Sequence, residues 1–116
     1  MNYVFWKNSS GEKPVQIEIL SLTQKEQDKI SRQIWLLTEH GHVEMGRQGD
    51  FEKVTKSGVW EFKIDYSHFR FRILCGIEDG KYVFLHIVRK TYRKLRNYDI
   101  DLAERRLLEY RQKLRK

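Results

Sequence analysis

Val59-Trp60-Glu61-Phe62-Lys63-Ile64-Asp65 and, after three residues, Phe69-Arg70-Phe71-Arg72-Ile73-Leu74-Cys75 decide how this chain folds. In both runs apolar residues recur at every second position, the period of a β-strand. Trp60, Phe62 and Ile64 therefore share one face, as do Phe69, Phe71, Ile73 and Cys75. Lys63, Arg70 and Arg72 fall on the opposite face. A third run, Tyr82–Val88, is almost wholly apolar and suits a strand covered on both sides. Glu78-Asp79-Gly80 before it is a hairpin signal, which makes these strands neighbours.

Outward from this sheet the pattern changes period. Tyr3–Lys7 is dense in β-formers and ends at the turn Asn8-Ser9-Ser10-Gly11, which predicts a first strand. Pro14 suits a helix start, and Val15, Ile19 and Leu22 follow at helical spacing. Thr23 with Glu26 three residues later is a capping-box signature for a second helix. That helix carries the stripe Ile30, Ile34, Leu37 and is expected to stop at Gly41. Gly41–Gly58, with four glycines and no period, reads as mostly loop. A last helix is expected from about Asp99 to Lys113. The expected fold is α+β, in the order β-α-α-β-β-β-α. A helical hairpin lies on an antiparallel-rich sheet, in one domain spanning residues 1–116.

The 116 residues carry 23 Lys+Arg and 16 Asp+Glu, a formal net charge of +7. The excess is not evenly spread: residues 1–88 hold 12 basic and 12 acidic side chains, and residues 89–116 hold 11 and 4. Hydrophobic content of 40% argues against wholesale disorder. No apolar run reaches the roughly 20 residues of a membrane span, and no basic-then-apolar leader opens the chain. The lone Cys75 cannot form an internal disulfide. A soluble cytoplasmic protein with no membrane partner is the expectation.

The pattern also limits the chemistry. The chain has no Gly-rich phosphate loop, no HExxH and no Cys/His ligand set, so neither a metal nor a cofactor is expected. His40-Gly41-His42 reads as a polar helix end, His86 as a satisfied core histidine and Cys75 as core. What stands out is the cluster of cations. Lys63, Arg70 and Arg72 share a strand face, Arg89 and Lys90 leave the end of the next strand, and His68 sits in the turn before Arg70. Any one of these has a simpler reading, as the partner of Glu61, Asp65 or an acid in a loop. As a set they suit an anion such as RNA phosphate, provided the compensating acids lie in distant loops and helices.

Four stretches in order resemble one family. Val59-Trp60-Glu61-Phe62-Lys63, Phe71-Arg72-Ile73-Leu74, Phe84–Thr91 and Ile100–Arg106 are similar to the strands and last helix of RelE/HigB-like toxins of type II toxin–antitoxin modules. The likeness is greatest to the phage-derived HigB-like branch. It departs from that pattern at Lys63, Asp65 and Arg89, and the proline expected near Lys94-Leu95-Arg96 is missing. The resemblance implies a RelE-like compact domain and a metal-independent endoribonuclease that cleaves mRNA, on the ribosome in many relatives. A ribose 2′-OH attacks the neighbouring phosphorus, and cations stabilise the charge that develops on the non-bridging oxygens. Arg72 would stabilise phosphate, with Lys90 and Lys63 as electrostatic partners or proton-transfer groups. Arg70, Arg89, His68, Tyr92 and Lys94 would hold RNA, with Tyr92 and Tyr98 able to stack on a base. The implied partners are a cognate antitoxin, mRNA and the ribosome, with operator DNA reached only through the antitoxin complex. The alternatives are a non-catalytic basic nucleic-acid-binding module, or an inactive toxin relative that mainly binds antitoxin and DNA.

Overall fold

A computed structural model describes residues 1–90 and 94–115, with Lys90 described by its backbone alone. The elements are β1 (Asn2–Phe5), α1 (Pro14–Leu20), α2 (Gln24–Arg47), β2 (Phe51–Lys53), β3 (Trp60–Tyr66), β4 (Phe69–Glu78), β5 (Lys81–Lys90) and α3 (Asn97–Leu114). They form an α+β structure around one five-stranded sheet in the order β1-β5-β4-β3-β2. The β2–β3, β3–β4 and β4–β5 pairs are antiparallel, and β1 runs parallel to β5, so the sheet is mixed. Among the described residues no helix is long and apolar enough to cross a membrane.

The local signals act where the sequence put them. Thr23 Oγ1 accepts the Glu26 N–H at 3.2 Å and Glu26 Oε1 accepts the Thr23 N–H at 3.0 Å, closing the capping box that starts α2. Asp79 and Gly80 both adopt positive φ, 52° and 71°, the backbone of a two-residue hairpin turn between β4 and β5.

The stretch expected as loop, residues 41–58, is more ordered than its glycines suggested. Gly41 does interrupt α2, with φ 84° and ψ 164°, but the helix resumes beyond it. The amide exposed by the break is satisfied, since the His42 N–H donates to the Tyr82 hydroxyl at 2.9 Å. Met45 is buried in the core and fixes the added turn. Next comes the unexpected strand β2, held by Phe51 in the core and by the Lys63 N–H donating to the Asp50 carbonyl at 2.8 Å. The observed order is therefore β-α-α-β-β-β-β-α.

The sheet carries a core on each face. Helices α1 and α2 pack Val15, Ile30, Ile34 and Leu37 against Phe62, Ile64, Phe71, Ile73 and Phe84. On the other face Ala103 and Leu107 of α3 meet Trp6, Val59, Leu74, Val83 and Leu85. Gly76 allows this second packing: a Cβ there would stand 2.5 Å from Leu107 Cδ1. These contacts lie over β5 and the Leu74–Gly76 stretch of β4, which leaves a cleft on the α3 side over β2, β3 and the first half of β4.

Candidate functional site

The open part of that face is where the strand cations meet. In the β3–β4 register Lys63 lies opposite Arg72 and Asp65 opposite Arg70. Across β4–β5 Lys90 lies opposite Arg70. On the outer side, β2 brings Glu52 opposite Glu61. A cleft of about 340 Å³ runs over these residues to the start of α3. Its lining holds the cations Lys63, Arg70, Arg72 and Lys94 and two carboxylates (Glu52, Glu61), with Leu95 and Ile100 as an apolar wall.

The cations are held by acids of the sheet itself. Arg72, 6% exposed, pairs through Nη1 with the buried carboxylate of Glu61. Lys63 Nζ stands 2.8 Å from Glu52 and 4.0 Å from Glu61, bridging the two carboxylates. The hydrogen bond from Lys63 holds the Glu52 carboxyl below its ordinary range. Arg70 Nε reaches Asp65 at 2.6 Å. This bears out the simpler reading for Arg72 and Arg70, as partners of Glu61 and Asp65, and overturns the expectation that the compensating acids lie in distant loops and helices. Register decides which side chains stand opposite each other, and it puts acids beside the cations on the same strands. Even so, cations outnumber acids in the lining, and Lys94 reaches the cleft as an exposed side chain. Lys53 borders the cleft at the end of β2, but it lies opposite Trp60 and its ammonium stands 6.0 Å from that ring, on the hairpin face.

Four of the expected residues, Lys63, Arg70, Arg72 and Lys94, line one cleft. Arg89 does not join them. It pairs with Phe71 in register and so lies on the hairpin face, its guanidinium 4.1 Å from the Phe69 ring centroid and 3.6 Å from Glu26. A bulge next to the Leu74–His86 pair leaves Leu85 without a strand partner and sets the facing of the residues after it. His68 is exposed in the β3–β4 turn and is not part of the cleft lining. Tyr92 lies outside the described residues, and Lys90 is placed by its register alone. Tyr98 is 64% exposed at the start of α3.

The remaining candidates are structural. His86 Nε2 meets Asp99 Oδ1 at 2.9 Å, tying β5 to the first turn of α3. His42 Nδ1 meets the Tyr82 hydroxyl at 3.0 Å. Cys75 is fully buried, and burial raises its thiol pKa well above the ordinary value. Among the described residues no group of three His, Cys, Asp or Glu is placed to hold a metal ion. The basic tail is partly engaged. Arg106 donates to the Leu85 carbonyl at 2.6 Å and stacks 4.6 Å from the Trp6 ring, while Arg111 pairs with Glu78.

Sequence reasoning missed Glu52, because β2 is three residues long and too short to show a period. It also missed the wall of Leu95 and Ile100, which belongs to the cleft only through the way α3 docks. No curated protein and no solved structure matches the chain. Residues 17–108 match the family described as phage derived protein Gp49-like (DUF891). That span runs from α1 into α3 and includes every strand that builds the cleft, and the chain belongs to this Gp49-like family.

Proposed function

We propose that this protein is the toxin of a toxin–antitoxin pair, a RelE/HigB-like endoribonuclease that cleaves mRNA in the cytoplasm and is silenced by a cognate antitoxin. The Gp49-like family is associated with toxin–antitoxin toxins, which supports the coarser part of this reading. The observation that carries the rest is the cleft, where Lys63, Arg70, Arg72 and Lys94 line one concave surface with an excess of positive charge.

In this mechanism an RNA phosphate enters between Lys94 and the strand cations. It exchanges with Glu61 and Glu52 as the anionic partner of Arg72 and Lys63. The ribose 2′-OH attacks the adjacent phosphorus, the O2′–P bond forms and the P–O5′ bond breaks. The products are a 2′,3′-cyclic phosphate and a 5′-hydroxyl. Arg72, fixed in mid-strand, stabilises charge on the non-bridging oxygens, and Lys63 or Lys90 assists proton transfer. An antitoxin that covers this cleft with an acidic segment removes RNA by competition.

One observation favours a second reading. The cations of β3 and β4 already hold carboxylate partners, an arrangement that also suits a protein that binds RNA without cutting it. Incubation of the purified protein with labelled mRNA, with and without translating ribosomes, separates the two. The expected result is new ends bearing cyclic phosphate, reduced about 100-fold in Lys63→Ala. Salt-dependent binding with no new ends favours the second reading.

A further inference from the structure

We propose that the outer edge of β1 is a docking site for an extended, acidic segment of a partner protein, which joins the sheet as a further strand. Strand β1 closes the sheet on one side, and among the described residues no strand pairs with its outer edge. The Trp6 N–H donates inward to the Phe84 carbonyl at 2.9 Å. Backbone groups alternate along a strand, so the N–H and C=O of Tyr3 and Phe5 point outward.

Beside this edge a groove of about 520 Å³ runs between β1 and the last turns of α3. Val4, Trp6, Tyr110 and Leu114 give it apolar walls, and Lys7, Lys13 and Lys113 supply its charge. No carboxylate is among its lining residues. Trp6 is 7% exposed, and its Nε1–H is buried with no acceptor among the described residues.

The chemistry selects the occupant. An extended peptide offers both donors and acceptors to a strand edge and places alternate side chains into a groove. RNA phosphates offer only acceptors and leave the Tyr3 and Phe5 carbonyls unmet. A second copy would bring the same lysines against these lysines. An acidic segment with apolar residues at alternate positions meets the edge, the apolar walls and the charge together. The site lies across the sheet from the cleft, and the proposal does not depend on what the cleft does.

The test is selection of random peptides about twelve residues long on the full chain, followed by amide hydrogen exchange with one selected peptide in synthetic form. The expected peptides are acidic with apolar residues at every second position. Bound peptide slows exchange at Tyr3 and Phe5 by about tenfold or more. Lys7→Glu with Lys113→Glu, both exposed positions, lowers affinity by about tenfold or more with an unchanged urea midpoint. Peptides that are neutral or basic overturn the proposal. So does protection elsewhere without protection at Tyr3 and Phe5, or a library that yields no binder.

Discussion

At the scale of single residues, Arg72 is both the best candidate for phosphate contact and a structural partner of Glu61. Both side chains are nearly buried, so removing either strands the other's charge in a poorly solvated place. We expect Arg72→Ala to lower stability by about 3–5 kcal/mol in urea unfolding. The double variant Arg72→Met with Glu61→Gln is expected to lose clearly less than Arg72→Ala alone, because no buried charge is left unpaired. Additive losses would show that the pair is uncoupled. An inactive Arg72→Ala protein therefore says little about catalysis until its folding is measured, and Lys63→Ala, beside the exposed Glu52, is the cleaner probe. The side-chain face of each of these residues was legible from alternation along β3 and β4. Glu61 and Asp65 were legible as candidate partners of Arg72 and Arg70, being the acids on the same strand face, whereas Glu52, the partner of Lys63, was not, because it comes from the short strand β2.

At the scale of elements, β3, β4 and β5 were legible from period two, and the start of α2 from its capping box, because those signals are local. The extension of α2 past Gly41 was not, since it depends on the Tyr82 hydroxyl, forty residues away. Nor was the parallel pairing of β1 with β5, a long-range choice. The docking of α3 belongs to the same class. Its first turn is held by Asp99, whose side chain is 4% exposed and meets His86 at 2.9 Å and Arg96 at 3.5 Å. Burial alone would raise the Asp99 carboxyl pKa, but the hydrogen bond and charge of His86, helped by Arg96, hold it below its ordinary value. A carboxyl lowered on folding adds stability that is present above its unfolded value and lost as pH falls through the folded one. Acidification below about pH 4 should therefore remove the stability that Asp99 confers. Asp99→Asn is expected to lose about 1–3 kcal/mol at neutral pH and to show a shallower fall in urea midpoint between about pH 5 and pH 3. Equal slopes in the two proteins would mean that Asp99 does not anchor α3 through its charge.

At the scale of the whole molecule, the net charge of +7 resolves into two basic surfaces on one sheet. The cleft lies over β2 to β4, and the lysine-bearing groove follows β1. Strands β4 and β5 separate β3 from β1, which sets them about 14 Å apart at the usual strand spacing. The composition assigned the whole excess to the last quarter of the chain, yet Arg106 and Arg111 there are engaged with Leu85, Trp6 and Glu78. Position rather than total charge should then govern RNA binding, and two double variants test this at equal charge. Lys63→Ala with Lys94→Ala removes two cations from the cleft, and Lys7→Ala with Lys113→Ala removes two from the groove. Each lost phosphate contact to a single strand reduces the slope of log K against log salt by about 0.7. The cleft variant is expected to lose about 1.4 of slope, and the groove variant to keep the wild-type slope within error. Equal losses would mean that RNA responds to the overall field of the protein, and the cleft would have no special claim on it.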